Sequence, residues 1–149
     1  MLLTGTFRRA VDDKQRVAIP RRVRLALTAE EKPVFYLAPG TDGSLAMYSE
    51  AEFGRLGERL AAASPAGPNV RAFSRLFYAQ AQPVELDAQG RVRVPPELAQ
   101  LAQITTEVVL VGVRDHVELW NPERWNQYCQ DRQPNYDEIA ERAFGAKEG

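Results

Sequence analysis

The chain of 149 residues has a single cysteine, Cys129, and a single histidine, His116. One thiol excludes an intramolecular disulfide, and so few ligands exclude a zinc site built from cysteine and histidine. The apolar runs are too short to cross a membrane, and the first residues lack the basic flank and apolar segment of a signal peptide. We therefore expect an intracellular protein that binds no metal.

Motifs typical of enzymes are also missing. The sequence contains neither Gly-x-x-x-x-Gly-Lys-Ser/Thr nor Gly-x-Gly-x-x-Gly. Asp12 and Asp13 are adjacent carboxylates, but a basic surface turn offers nothing that would raise a carboxyl pKa for acid–base catalysis. His116 is expected to lie exposed in a turn. We predict no enzymatic activity, no catalytic residue, no cofactor and no small-molecule substrate.

The net charge of −1 conceals an uneven distribution. Residues 1–75 carry 12 Lys and Arg against 8 Asp and Glu, a net +4, whereas residues 76–149 carry 7 against 12, a net −5. The basic excess is concentrated at residues 8–24, which hold seven basic and two acidic residues. Such a division is expected when one face of a protein meets a polyanion.

Two segments 75 residues apart share a pattern. Four pairs are identical at this offset: Asp12 and Asp87, Arg16 and Arg91, Val17 and Val92, Pro20 and Pro95. Residues 45–53 match residues 117–125 by residue class only. Because the two matches occur in the same order, we interpret the chain as a duplicated unit.

The duplication predicts four segments. They are a first motif at 1–61, a linker and helix at 62–79, a second motif at 80–131, and a C-terminal helix and tail at 132–149. The chain length is compatible with one domain or with two small halves. A unit of about 70 residues buries only a marginal core, so we expect the two motifs to share one barrel.

The residue pattern of each copy predicts a strand, a tight turn and a second strand. Asp12 and Asp87 are turn-shaping residues, because aspartate side chains bond to the backbone of a turn, and Gly90 supplies a positive φ. In the second copy the alternation at 84–86 and 92–94 predicts a hairpin-like arm. Pro20 and Pro95 suit the first position of a short helix.

Further elements are predicted after each arm. The sequence indicates strands at 34–37, 44–48, 108–113 and 117–120. Helices are expected after Ser49, after Asn69 over 70–79, after Asn121, and at 137–144. Tyr48, Phe53, Trp120 and Trp125 have the spacing of core residues and are expected to pack rather than to bind a ligand.

Each copy contains an Asp-x-x-x-Arg segment that is followed by a β-branched strand and a proline. A Leu-Trp or Met-Tyr pair and a further aromatic residue come later in each copy. Together these features resemble the MraZ family. These are bacterial transcriptional regulators related to AbrB-type swapped-hairpin proteins, and the resemblance covers about residues 1–130. It implies a mainly β fold with short helices (α+β), a double-split β-barrel of two tandem motifs. It also implies a ring-shaped homo-oligomer at the nucleoid that binds direct promoter repeats of the division and cell-wall gene cluster, as a repressor. The family usually has glycine at the position of Gln15, so we expect the first turn to differ in shape.

The resemblance places the two turns toward DNA. Read from the residues alone, Arg16 on a tight turn can contact a guanine edge, while the other cations hold phosphates. The predicted DNA-binding residues are Arg8, Arg9, Lys14, Arg16, Arg21, Arg22, Arg91 and Arg93.

Three alternatives stay open at this stage. Arg91 lies in a nearly neutral window and could instead pair with Glu85 or Asp87. The basic cluster at 21–24 could be the solvated side of a helix. The whole chain could be an AbrB-fold interaction module, an antidote or scaffold, that grips an acidic protein partner. Salt-sensitive, sequence-selective binding to double-stranded DNA would separate that module from a regulator.

Overall fold

A computed structural model describes residues 2–63 and 67–145. Part of the predicted linker, residues 64–66, and the end of the tail, residues 146–149, lie outside this range. The strands are β1 (Thr6–Ala10), β2 (Arg16–Ala18), β3 (Val34–Pro39), β4 (Leu45–Ser49), β5 (Gln82–Glu85), β6 (Arg91–Arg93), β7 (Glu107–Val113) and β8 (His116–Trp120). The helices are α1 (Arg21–Leu27), α2 (Glu50–Ala62), α3 (Pro68–Gln80), α4 (Pro96–Leu101), α5 (Pro122–Arg132) and α6 (Tyr136–Phe144), with a 3-10 turn at Gln133–Asn135.

Six strands form one antiparallel sheet in the order β1-β7-β8-β4-β3-β5. Strands β7 and β8 of the second copy lie between β1 and β4 of the first, and β5 of the second copy pairs with β3 of the first. The two copies are therefore interleaved. The α+β fold class, with a β-barrel built from both motifs, is confirmed.

The remaining two strands form a separate ribbon. Strand β2 pairs with β6 in antiparallel register, so that Val17 lies opposite Val92 at the centre. The predicted hairpin-like arm of the second copy is therefore wrong in its pairing. The turn after β5 forms as expected, but the strand that leaves it bonds to the equivalent strand of the other copy instead of returning along its own.

The core lies between the inner face of the sheet and the ribbon. Val17 and Val92 are fully buried there, together with Leu110 and Leu119 from the centre of the sheet. Burying such side chains contributes about 1.5–3 kcal/mol each. The ribbon is thus held by its apolar face, which leaves its other face outside.

Helices cover the outer face of the sheet at two places. Helices α2 and α3 pack on β3, and α5 packs on β7. Phe53 stacks on Tyr36 with ring centroids 4.5 Å apart, and Trp125 lies 5.2 Å from Trp120. Tyr48 also contacts Phe53, with ring centroids 5.9 Å apart. The predicted packing role of Tyr48, Phe53, Trp120 and Trp125 is confirmed. Within residues 2–63 and 67–145, no helix combines the length and the apolar composition that a membrane span requires.

Two expectations about helix starts are wrong. Pro20 and Pro95 precede their helices as N-cap residues, because their ψ angles of 140° and 138° are extended and not helical. The helix expected at 70–79 begins earlier, at Pro68, so that Asn69 lies inside it and cannot cap it. Ser49 does cap α2, where its Oγ accepts from the backbone N of Glu52.

Candidate nucleic-acid interface

The first turn is organised by one carboxylate. Asp12 Oδ1 accepts hydrogen bonds from the backbone N of Lys14 at 2.9 Å and of Arg16 at 2.8 Å. Its Oδ2 accepts from Nε of Arg16 at 2.7 Å. These donors favour the charged form, foremost the backbone N–H of Arg16, and they lower the pKa of Asp12 to about 2. The carboxylate therefore shapes the turn and orients the guanidinium at the same time.

The second turn repeats this arrangement. Asp87 Oδ1 accepts from the backbone N of Gln89 and of Arg91, both at 2.9 Å, and its Oδ2 accepts from Nε of Arg91 at 2.9 Å. The pKa of Asp87 is lowered, first by the backbone N–H of Arg91. Of the two acidic partners considered for Arg91, Glu85 and Asp87, the structure pairs it with Asp87. Arg91 Nη1 also lies 3.8 Å from Asp12 Oδ2 in the other copy.

The expectation that Gln15 changes the shape of the first turn is wrong. Gln15 has φ of 64° and Gly90, its counterpart, has φ of 76°. The strained conformation is held from two sides, since the backbone N of Gln15 donates to Asp12 O at 3.0 Å and its carbonyl accepts from Val94 N at 2.8 Å. Gly90 makes the equivalent cross-copy bond, in which Ile19 N donates to its carbonyl at 3.0 Å. Each turn therefore accepts a backbone hydrogen bond from the other copy.

The outer face of the ribbon is basic. Side chains alternate along a strand, so the residues flanking Val17 and Val92 lie on the opposite face from these valines. The register places Arg16 opposite Arg93 and Ala18 opposite Arg91. Arg93 is exposed, whereas Arg16 and Arg91 are half-buried against their aspartates. Three guanidinium groups thus share one face of a two-stranded ribbon.

This concentration of charge is only partly compensated within the chain. Like charges directly opposite each other destabilise a strand pair. The side chain of Arg93 makes no hydrogen bond or ion pair with any residue that the structure describes, and neither does the side-chain amine of Lys14 at the tip of the first turn. A polyanion lying along the ribbon would relieve this repulsion.

The other predicted cations lie elsewhere. Arg8 pairs with Glu107 at 3.4 Å on β1, and Arg9 donates to the carbonyl of its neighbour. Arg22 donates to the carbonyl of Thr4 at 3.2 Å, and its guanidinium lies 5.1 Å from the ring centroid of Phe7. Arg21 is exposed at the start of α1. The eight predicted residues therefore divide into a ribbon group (Lys14, Arg16, Arg91 and Arg93) and a group around β1 and α1.

Sequence reasoning left Arg24 out of the predicted site. Its Nη1 lies close to Gly90, 3.7 Å from the point that a Cβ atom would occupy. This proximity arises because β2 and β6 pair, which brings α1 of the first copy beside the turn of the second. No local signal in the sequence predicts such a contact.

A second cluster of polar side chains surrounds His116, and the expectation that this residue is exposed is wrong. Its side chain is only 18% exposed, with Nδ1 2.7 Å from Asp115 Oδ1 and Nε2 3.8 Å from Glu118 Oε2. The ring stacks on Tyr48. The carboxylates of Glu118 and Asp115 favour the charged imidazolium and raise the pKa of His116. Strand alternation could have revealed this pair, because residues 116 and 118 share a face.

Comparison with known proteins places these features in a family. The family model described as "MraZ protein, putative antitoxin-like" matches residues 77–147. A protein named transcriptional regulator MraZ from Heliobacterium modesticaldum is 36% identical over 95% of this chain and 96% of its own length. Proteins of the same name from Alkaliphilus oremlandii and Thermomicrobium roseum are 37% and 40% identical over 95% and 83% of this chain. The chain belongs to the MraZ family.

The similarity to the MraZ family extends beyond the two short motifs. The aligned relatives extend over both copies of the repeat, whereas the family model covers the second copy and the C-terminal helices. The resemblance expressed by the Asp-x-x-x-Arg segments is therefore confirmed at the level of the whole chain.

Proposed function

We propose that the protein is a transcriptional regulator that binds double-stranded DNA through the β2–β6 ribbon. The observation that carries this proposal is the row of Arg16, Arg91 and Arg93 on the outer face of the ribbon, opposite the buried Val17 and Val92. The major groove of B-DNA is about 12 Å wide and accepts a two-stranded antiparallel ribbon. The names of the relatives support the same role.

The aspartates prepare the two central arginines for base contact. Asp12 and Asp87 each hold the Nε of one arginine, which restricts the side chain before DNA arrives. Neither terminal nitrogen of Arg16 makes a hydrogen bond within the described residues. A guanidinium that is already oriented loses less conformational entropy on binding. Arg16 is thus the best candidate for a bidentate contact with a guanine edge, and Arg91, which also approaches Asp12, is the second.

Phosphate contacts supply the rest of the attraction. Arg93 and Lys14 are exposed beside the two oriented arginines, so they can reach the backbone on either side of the groove. Arg8 and Arg22 are held by Glu107 and by the Thr4 carbonyl, so we assign them, with Arg9 and Arg21, to flanking phosphates. One ribbon offers few contacts. A ring of identical chains on direct promoter repeats would raise the effective concentration of later contacts.

We further propose that this ring acts at the nucleoid as a repressor of the division and cell-wall gene cluster. The protein would then bind DNA upstream of its own gene. Each ribbon would contact one repeat, and occupancy of several repeats would block transcription from the promoter.

The test is a gel-shift titration at several salt concentrations. The probes are the DNA upstream of the protein's own gene and a shuffled fragment of equal length. We expect wild type to prefer the upstream fragment and Arg16→Ala to lose about 1–3 kcal/mol of binding free energy on that fragment only. Arg91→Ala should lose less. Arg93→Ala should weaken binding to both fragments equally. It should also reduce the magnitude of the slope of log affinity against log salt by about 1, which corresponds to one phosphate contact.

Arg55→Ala is the matched control. It removes one positive charge from α2, where Arg55 pairs with Glu52, and it should leave binding to both fragments unchanged. Equal binding of upstream and shuffled DNA by wild type and Arg16→Ala would overturn the proposal. Capture of an acidic protein without sequence-selective DNA binding would favour the interaction module.

A further inference from the structure

Arg24 lies beside the second turn, although it belongs to the first copy. Its Nη1 is 3.7 Å from the point that a Cβ atom on Gly90 would occupy. A cross-copy hydrogen bond, in which the backbone N of Ile19 donates to the carbonyl of Gly90 at 3.0 Å, explains this position. Helix α1 begins two residues after Ile19, which brings Arg24 against the second turn.

The first turn has the reverse combination of long and short side chains. At the offset of 75 residues, Gly90 corresponds to Gln15 and Arg24 corresponds to Ala99 of α4. The equivalent hydrogen bond, from the backbone N of Val94 to the Gln15 carbonyl, places the start of α4 at the first turn. Each turn therefore has one long side chain at this contact, and only at the second turn is that side chain charged.

This charge offsets an imbalance between the two ends of the ribbon. Lys14 lies at the tip of the first turn, and its counterpart in the second turn is the neutral Gln89. The register also places Arg93 opposite Arg16, at the end of the ribbon near the first turn. Helix α4 contains no basic residue, whereas α1 contains three arginines. The second turn thus receives from α1 a positive charge that its own tip lacks.

The guanidinium of Arg24 is available to bind an anion. It lines a cleft of about 450 Å³ and makes no hydrogen bond or ion pair with any residue in the described ranges. The carboxylates of Glu31, Glu85 and Asp87 line the same cleft, but none of them lies within ion-pair distance of Arg24. Asp87 is already paired with Arg91 at 2.9 Å. Arg24 is therefore a half-buried cation without a carboxylate partner at the flank of the turn.

Arg21 extends this positive surface along α1. Arg21 and Arg24 are three residues apart, so they lie on one face of the helix. Val23 and Leu27 of the same helix are buried in the core, which fixes the helix in position. Two arginines one helical turn apart on an anchored helix are suited to the backbone of a DNA strand that passes the second turn.

We propose that Arg24 is the phosphate contact of the second turn. The first copy then supplies a backbone contact at both turns, from Lys14 at the first and from Arg24 at the second. The inference rests on the proposed function and adds to it a residue outside the predicted site. Base recognition by Arg16 and Arg91 does not depend on it.

The test is the salt dependence of DNA binding by Arg24→Gln, measured by gel shift on the upstream and the shuffled fragment. We expect binding to both fragments to weaken by the same factor, because phosphate contacts carry no sequence information. The slope of log affinity against log salt should decrease in magnitude by about 0.9. The ratio of wild-type to variant affinity should therefore shrink by about 3.5-fold when salt rises from about 50 mM to about 200 mM.

Two further variants separate a phosphate contact from a structural role. Arg24→Lys keeps the charge and should keep the wild-type slope. Gln89→Lys, added to Arg24→Gln, places at the exposed tip of the second turn the residue type that the first turn has as Lys14, and it should restore the slope. Arg55→Gln is the matched control, because it makes the same substitution on α2 and should change neither affinity nor slope. Thermal unfolding of each variant measures any loss of stability.

Several outcomes overturn the inference. A wild-type slope for Arg24→Gln would show that Arg24 contacts no phosphate, and the proposed function would still stand on the result for Arg16→Ala. A loss confined to the upstream fragment would make Arg24 a base contact instead. A lower Tm for Arg24→Gln, with a slope that Gln89→Lys fails to restore, would assign Arg24 to the structure of the turn. A wild type without DNA binding would remove the proposed function and this inference together.

Discussion

Exchanging the residues at the two left-handed positions should change stability in opposite directions. A side chain at the φ of 64° held by Gln15 costs about 1–2 kcal/mol, which glycine avoids. Gln15→Gly also removes a buried Oε1 that has no hydrogen-bond partner among the described residues. Such an unsatisfied buried group costs about 1–3 kcal/mol, so its removal stabilises the fold. Two effects oppose this stabilisation. The greater backbone entropy of glycine in the unfolded chain lowers the free energy of unfolding by about 0.5–1 kcal/mol, and the lost packing of the half-buried side chain lowers it by about 1 kcal/mol.

The balance is a stabilisation of about 1–2 kcal/mol for Gln15→Gly. For a chain of this size, each kcal/mol raises Tm by about 2–4 °C. The reverse change, Gly90→Gln, meets open space, since only Arg24 Nη1 lies within 4 Å of the added Cβ. It should therefore show the conformational penalty alone and destabilise by about 1 kcal/mol.

Thermal unfolding followed by circular dichroism, at one protein concentration and pH 7, measures both variants. Because the two turns share one hydrogen-bond pattern, the double exchange should come close to wild type. The reasoning is refuted if Gln15→Gly lowers Tm while Gly90→Gln leaves it unchanged. That result would mean that the Gln15 side chain contributes more to the turn than its backbone conformation costs.

Four further substitutions test the pKa shifts and the helix caps. Asp12→Asn should destabilise the protein at pH 7, and the difference from wild type in urea unfolding should vanish as pH falls from about 4 through the Asp12 pKa of about 2. His116 has a raised pKa, so its contact with Glu118 stabilises fully below pH 6.5 and the benefit is lost as pH rises through the raised value. Wild type should therefore lose stability between pH 6 and pH 8 relative to His116→Gln, and an identical pH profile for both would contradict this. Ser49→Ala should cost about 1 kcal/mol in chemical unfolding. Asn121→Ala should cost more, because Asn121 caps α5 with two backbone bonds and also donates to the Gln103 carbonyl.

Local chemistry explains why the two turns could be predicted. An aspartate that accepts from backbone N–H groups two and four residues ahead is a short-range event, and the identical spacing in both copies repeats it. Strand alternation around Val17 and Val92 likewise predicts which face is buried. These features depend on neighbours within a few residues.

Strand pairing depends on residues far apart in the chain, and there the sequence was insufficient. Alternation at 91–94 fits a return along β5 as well as it fits pairing with β2, because both place Val92 in the core. The shared core decides between them, and it forms only when both copies are present. The proximity of Arg24 to Gly90 and the burial of His116 follow from that same assembly, so neither was predicted.

The ribbon has the backbone of a two-fold arrangement but unequal side chains. Val17 and Val92 lie at the centre, while Lys14 corresponds to Gln89 and Ala18 corresponds to Arg93. A two-fold symmetric protein surface matches a palindromic site, because protein symmetry is mirrored in the DNA. A ribbon with different charges on its two sides favours one orientation on the duplex instead. The proposed DNA contact therefore favours direct repeats, which keep one orientation, over palindromes.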